Sequence, residues 1–415
     1  MSVLRMSPEV EVYRNSEYDV PGFVLFYSIM TRLDTFAARM RGRIRFDRNE
    51  LSGAFGDIGT DLPLIVGMLL VSGMDSASVL ITFGGLQICT ALAYGIPMPV
   101  QPLKAVAALV IAQHIAGNVV YGAGLSIGIV MLVLTVTGSL DLLARFIPHV
   151  VVRGIQFGLG LQLAYVALFK YVQSDGTGGY IIAAIAFVLV ISFLGNRRFP
   201  PALPVIAMGI LYILFSETEL SLFASSLGVT LPAIHIPTTS DIIEGFLLLA
   251  LPQIPLSLGN SLLATERITR DYFPERAVSL RKLGFTYSMM NLIAPFVGGI
   301  PVCHGSGGMA GHYLFGARTG GSIVIYGGLY IMLGLFFSQG FGQLTQAFPL
   351  PLLGVILLFE SIALMKLIKD VTDSGTDFFI ALVVGLLSFG VPSGYLVGMI
   401  TGAVLTLIKD KLKYQ

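Results

Sequence analysis

At 415 residues, with 55% hydrophobic, 12% charged and a mean hydropathy of +0.83, the chain carries about half the charge of a soluble globular protein. That balance points to a polytopic membrane protein. A net charge of +1 offers no basic footprint for nucleic acid, and two cysteines, Cys89 and Cys303, in apolar surroundings suggest neither a disulfide framework nor a metal site.

Residues 20–30 are apolar but too few to span, and acidic residues rather than a basic stretch precede them, so no signal peptide is expected. Residues 33–50 carry Arg39, Arg41, Arg43, Arg45 and Arg48 and read as a basic amphipathic helix on the cytoplasmic face; the plainer alternative is a solvated tail. Apolar windows then predict fourteen spans, at 52–71, 76–95, 101–116, 121–143, 150–170, 179–195, 201–216, 241–264, 283–298, 305–317, 321–340, 348–366, 376–390 and 392–408. With the N-terminus inside, this count puts 23 of the 25 Lys and Arg residues on the cytoplasmic side, leaving only Lys170 and Lys104 as exceptions. Both termini are therefore expected in the cytoplasm.

In the first span, "GAFGDIGTDLP" sets Asp57 and Asp61 four residues apart on one helical face. They can carry a proton or pair with Lys104, and Asp61 can equally cap a helix after a break at Gly59; Thr60 adds a hydroxyl donor. The third span opens with "GIPMPVQPLKA", which packs prolines and a charge into an apolar region. Its counterpart in the second half is "GGIPVCHGS", with Gly-Ile-Pro at the same place, and "DLPLIVGMLL" resembles "ALPQIPLSLG" in the same way. Seven spans is an odd number, so the second half is inserted upside down relative to the first. Short, Gly/Pro-interrupted segments in matching positions of an inverted repeat point to a binding site.

The expected structure there is extended chain over 95–100 and 299–304. Half-helices follow, from near Gln101 or Pro102 and from near Ser306, with their N-termini facing each other. Such ends offer free N–H groups and partial positive charge to an anion. Lys104 supplies a cation costly to hold at that depth, with a structural ion pair as the alternative. Gln101 donates two hydrogen bonds, or caps a helix. Gly305, Gly307 and Gly308 permit close backbone approach, and His304 titrates near neutral pH. In span 8, Gln253, Ser257, Asn260 and Ser261 share a polar stripe that serves either substrate or helix–helix contact. Glu266 reads as part of a cytoplasmic salt-bridge cluster, His312 as packing, Arg318 as a topology anchor, and the role of Glu360 stays open.

The stretches "ELSGAFGDIGTDLPLIVGM", "GIPMPVQPLKAVAA", "PQIPLSLGNSLLATERITRDYF" and "PVCHGSGGMAGHYLFGARTG" closely resemble the molybdate transporter family, a branch related to the sulfate permeases. The likeness runs from about residue 50 to 410, strongest in these motifs and outside the first 50 residues. It implies an all-α membrane fold with a 7+7 inverted repeat, shared with the sulfate permeases and uracil permease. Core segments at 51–145 and 239–342 would flank gate segments at 146–238 and 343–410, with cytoplasmic ends at 1–50 and 411–415. It also implies import of a tetrahedral oxyanion, proton-coupled, by an elevator-like step. Molybdate is the expected substrate, with sulfate, tungstate or a passive anion channel as alternatives. The expected partners are the oxyanion, protons, the bilayer and a second copy of the chain. No cofactor or metal is expected. No nucleophile–base pair suggests an enzyme, and no phosphate-binding G-x-x-x-x-G-K-[ST] loop suggests an ATP-driven pump.

Overall fold

The computed structural model describes residues 42–140, 142, 148–196, 200–215, 229–336 and 348–413. Among these residues the chain forms fourteen helical stretches of nine residues or more. The first eight are Arg48–Ser72, Ser76–Tyr94, Lys104–Gln113, Gly117–Val136, His149–Tyr171, Gly176–Phe193, Ala202–Leu214 and Thr239–Tyr272. The remainder are Leu280–Ile293, Ser306–Leu314, Gly321–Phe336, Leu350–Val371, Gly375–Gly390 and Gly394–Lys413. Seven are long and apolar enough to cross a membrane, and four more are apolar but shorter. Apolar side chains also cover the outside. The Gly176–Phe193 helix exposes Tyr180, Ile181, Ile185, Val188 and Ile191, a stripe at helical spacing that suits lipid rather than water.

The helices sort into two packing sets. In one, Gly321–Phe336 lies along Ser76–Tyr94, Leu280–Ile293 along Gly117–Val136, and Lys104–Gln113 against Ile58–Ser72. Gly84 and Gly327 face each other where the first of these pairs crosses: a Cβ on Gly327 would stand 2.6 Å from the Gly84 carbonyl, so both positions need glycine. In the other set, Gly375–Gly390 and Leu350–Lys366 pack on His149–Tyr165. A few crossings join the sets, among them Leu350–Lys366 with Ile58–Ser72.

Between the helices of the first set lie two buried strands, β1 (Val100–Pro102) and β2 (Val302–His304). They pair antiparallel, with Val100 opposite His304, Gln101 opposite Cys303 and Pro102 opposite Val302. A two-stranded ribbon leaves its outer edges unpaired, and buried edges need partners. Gln87 supplies one: its Nε2 donates to the Val100 carbonyl at 2.7 Å and its Oε1 accepts from Val100 N at 2.8 Å. Asn291 repeats the arrangement on the other edge, donating to Val302 O at 2.7 Å and accepting from Val302 N at 2.9 Å. Each half thus places one carboxamide on the strand that follows its Gly-Ile-Pro.

The ribbon also moves one helix start. Residues 100–102 are held extended, so the helix expected from near Gln101 or Pro102 begins at Lys104 instead, while the partner helix begins at Ser306 as its spacing indicates. Most of the basic helix expected over 33–50 lies outside the described residues. Where it is described, 42–47 is turn and extended chain, and helix begins only at Arg48 behind the Asp47 cap. The backbone is tied elsewhere: Arg43 O accepts from Gly320 N, and Arg45 N donates to Thr319 Oγ1.

Glu50, two residues into that helix, is buried and anchors the Gly321–Phe336 helix. Its Oε1 accepts from Arg318 N and Thr319 N at 2.9 and 2.8 Å, and its Oε2 from Ser322 N at 2.9 Å. A carboxylate suits the positive end of a helix. Glu50→Ala strands three N–H groups, a cost of about 2–4 kcal/mol; the thermal unfolding midpoint of the purified protein is expected to fall by several degrees, and Glu50→Asp by less.

Candidate functional site

The ribbon brings two helix starts to one place. The backbone at Gly305 and Gly308, flanking Ser306, abuts the Gln101 side chain, and Lys104 opens its own helix three residues after Gln101. The Lys104 helix has no side-chain cap from its own N-cap residue, Leu103. Gln253 provides one from across the fold, its Oε1 accepting from Ala105 N at 2.9 Å. Gln253 Nε2 in turn donates to Ser257 Oγ at 3.1 Å, and Ser257 meets Tyr287 OH at 2.7 Å. A bond spanning 148 positions explains why this cap cannot be read from local spacing. Asn260 stands half-buried in a π-helical stretch, Ser257–Leu263, with no hydrogen-bond partner among the described residues. Helical bulges of this kind are frequent at functional sites.

Asp57 and Asp61 diverge in their partners. Asp57 is buried, and both its oxygens accept from Gln101 Nε2, at 2.8 and 2.6 Å. Asp61 is fully buried; Oδ2 accepts from Tyr326 OH at 3.2 Å, and Oδ1 has no hydrogen bond among the described residues. Tyr326 continues to Tyr330 OH at 3.1 Å. Two residues after Asp61, Pro63 lacks the N–H that would bond the Gly59 carbonyl, loosening the helix beside these carboxyls.

Lys104 is paired with neither aspartate. Its Nζ lies 3.7 Å from Glu360 Oε2, and Thr60 Oγ1 donates to Glu360 Oε1 at 2.8 Å. The structure therefore gathers Asp57, Thr60, Asp61, Gln101 and Lys104 and adds Glu360. The sequence left Glu360 open because an acid inside the apolar run "VILLFESIALM" carries no spacing signal beyond its own unlikely presence there.

His304 stands apart from this group. It is buried, its Nε2 lies 2.7 Å from Thr286 Oγ1, and Thr286 meets Tyr94 OH at 2.5 Å, while Nδ1 has no hydrogen bond among the described residues. His312 is buried with Nδ1 2.6 Å from Gly53 O, and Glu266 pairs with Arg270 at 2.8 Å. Cys303 is buried in β2, and Arg318 lies over the Tyr313 ring. Ser306 is half-buried with no hydrogen bond from its side chain among the described residues. No group of three His, Cys, Asp or Glu that could hold a metal occurs among the described residues.

Chemically, the site holds three carboxyls, one ammonium group, two helix starts and hydroxyl and carboxamide donors. That set suits binding of an anion together with protons.

A family model described as "Molybdate transporter of MFS superfamily" matches residues 49–163 and 245–364. The chain is similar to Molybdate transporter 2 of Arabidopsis thaliana, 35% identical over 421 residues, covering 89% of each chain. Its fold is similar to the solved structure of SLC26A9, with TM-score 0.66 and 13% identity over 88% of this chain and 66% of that one. It is also similar to the transmembrane domain of the cyanobacterial bicarbonate transporter BicA, with TM-score 0.61 and 14% identity over 86% of this chain and 98% of that domain.

The two glycines after Ser306 differ sharply. A Cβ at Gly308 would collide with the Asp57 carboxylate and stand 2.9 Å from Gln101 Nε2, whereas Gly307 is exposed with nothing within 4 Å of that point. Gly308→Ala is expected to lower the thermal unfolding midpoint, since overpacking costs about 1–3 kcal/mol. Gly307→Ala should leave it within error, and equal midpoints for the two variants would contradict this packing.

Proposed function

The chain belongs to the molybdate transporter family, and from that premise we propose that it is a secondary active transporter importing molybdate together with protons. The reading of the substrate class is carried by one observation: two helix starts, at Lys104 and Ser306, converge on Gln101 with Lys104 as the cation beside them. A tetrahedral dianion placed there meets N–H groups of both first turns, the Lys104 ammonium and the hydroxyls of Thr60 and Ser306. Asn260, without a protein partner among the described residues, adds an amide, and Gln253 holds the Lys104 helix in place from behind. Gly307, open to its surroundings, allows the ligand to approach backbone.

Charge counting supports the protons. With Asp57, Asp61 and Glu360 ionised against Lys104, the site already bears two uncompensated negative charges. A dianion would make four, and each uncompensated buried charge costs several kcal/mol. Protons on the aspartates remove that penalty. At Asp57 the proton does more: a carboxylic acid has less need of the Gln101 amide, whose N–H is then free to turn to the oxyanion. Proton and anion binding thereby help each other. His304, tied to Thr286 and Tyr94, is a further candidate to carry the proton.

The two packing sets support a reading of the rest of the transport cycle. We assign the fourteen helices to a 7+7 inverted repeat with both termini cytoplasmic. The set containing both ribbon strands (51–145 and 239–342) moves as the transport body against a gate body (146–238 and 343–410). A body that carries its site with it performs alternating access by an elevator-like displacement, and a homodimer of gate bodies gives it a fixed reference. Sulfate and tungstate share the charge and shape of molybdate and are the expected competitors.

Radiolabelled molybdate uptake into proteoliposomes tests the coupling. Uptake is expected to rise as the outside is acidified from about pH 8 to about pH 5.5, since proton and anion binding favour each other; a flat profile would leave a channel or another coupling ion. For the site, Gln101→Ala and Ser306→Ala should each weaken molybdate binding by about ten- to a hundredfold. Lys104→Ala should be the most damaging of the truncations. Calorimetry giving the parent affinity for both Gln101→Ala and Lys104→Ala would put the site elsewhere.

A further inference from the structure

The Leu350–Lys366 helix packs with His149–Tyr165 and Gly176–Phe193, in the second packing set. Yet both contacts of its Glu360 carboxylate go to the first set: Thr60 Oγ1 at 2.8 Å and Lys104 Nζ at 3.7 Å. Among the described residues no other carboxylate lies within ion-pairing distance of Lys104. We propose that Glu360 is a tethered competitor of the substrate: it occupies Lys104 in the empty site, and an incoming oxyanion must displace it.

The geometry fits a displaceable partner rather than a permanent one. A separation of 3.7 Å is beyond hydrogen-bond length, so the attraction is Coulombic and loose. The side chains are 31% and 15% exposed, so packing does not fully enclose the pair. Thr60 donates to the other Glu360 oxygen, which holds the carboxylate toward Lys104 until a substrate takes both donors. Lys104 also stands at the first position of its helix, where the helix end adds to its attraction for anions. An internal anion on the cation lowers the apparent affinity for an external one by the fraction of molecules in which the cation is free. Because Glu360 belongs to the other packing set, the same displacement removes a tie between the two bodies. Substrate occupancy and body movement are then linked through one side chain.

This inference rests on the oxyanion reading above, and its sign separates it from a supporting role. If Glu360 merely positioned Lys104 for substrate, removing its charge would weaken binding. As a competitor, its removal strengthens binding. In calorimetry with sodium molybdate on the purified full chain, Glu360→Gln, which keeps an acceptor for Thr60, is expected to bind about tenfold more tightly, the lower end of what close charge pairs contribute. Glu360→Ala should show a similar gain, so one well-folded variant of the two suffices. Glu360→Asp, which keeps the charge, should stay within about threefold of the parent. In a Lys104→Gln background the gain from Glu360→Gln should vanish. Parent-like or weaker binding by Glu360→Gln, or an equal gain without Lys104, overturns the proposal while leaving the oxyanion reading intact. Absence of molybdate binding by the parent removes both.

Discussion

Extended backbone buried among apolar helices must find hydrogen bonds for both of its edges, and much of this structure follows from how that demand is met. β1 and β2 satisfy each other on their inner edges. On the outer edges Gln87 and Asn291 each clamp one valine, donating to its carbonyl and accepting from its N–H. Each clamp is a carboxamide, which presents a donor and an acceptor side by side without needing a titratable proton. Losing either would strand two buried backbone groups, a far larger penalty than the bonds are worth in water. The ribbon is therefore a rigid element, and it fixes where the Lys104 and Ser306 helices begin.

Rigid helix starts create an electrostatic problem as well as a site. On the oxyanion reading, Lys104 and the helix starts would attract anions, and the fold sets its own carboxyls against the same donors. Asp57 takes the Gln101 amide, Asp61 takes the Tyr326 hydroxyl, and Glu360 takes Lys104 and Thr60. Each side-chain donor that the oxyanion reading assigns to substrate has an internal acceptor within reach, except Ser306 and Asn260. In a site arranged this way each internal acceptor is one that, on the proposed reading, a proton or a competing anion would displace.

Much of the helical architecture was legible because lipid-facing helices must be apolar. The Gly-Ile-Pro repeat likewise marked where helix is interrupted, since prolines and glycines inside an apolar stretch break it, but not that the two extended stretches pair as a ribbon. What could not be read was long-range partnering. Gln87, Asn291 and Glu50 are single polar residues whose meaning lies in backbone groups 13, 11 and 268 or more positions away. Gln101 and Lys104 were legible as residue types but not as a pair of different fates, one bonded to Asp57 and the other facing Glu360. The helix start was misplaced by the same blindness: proline at 102 suits a helix's first turn, but strand pairing with Val302 keeps it extended.

The contrast between the two aspartates shows how far local position is overruled by partners. Asp57 and Asp61 lie four apart in one helical turn, with equal chemistry and nearly equal burial. Asp57 faces a carboxamide that can turn elsewhere once a proton arrives; Asp61 faces a tyrosine hydroxyl backed by a second tyrosine and keeps one oxygen without a bond among the described residues. A carboxamide has other acceptors to choose from when substrate is present, whereas the Tyr326–Tyr330 pair is enclosed by packing with Phe83 and His312. On the proton-coupled reading proposed above, a proton at Asp57 would act on Gln101 and the ribbon, and one at Asp61 on the interior of the packing set. Two carboxyls that look interchangeable in sequence are placed to report on different neighbours.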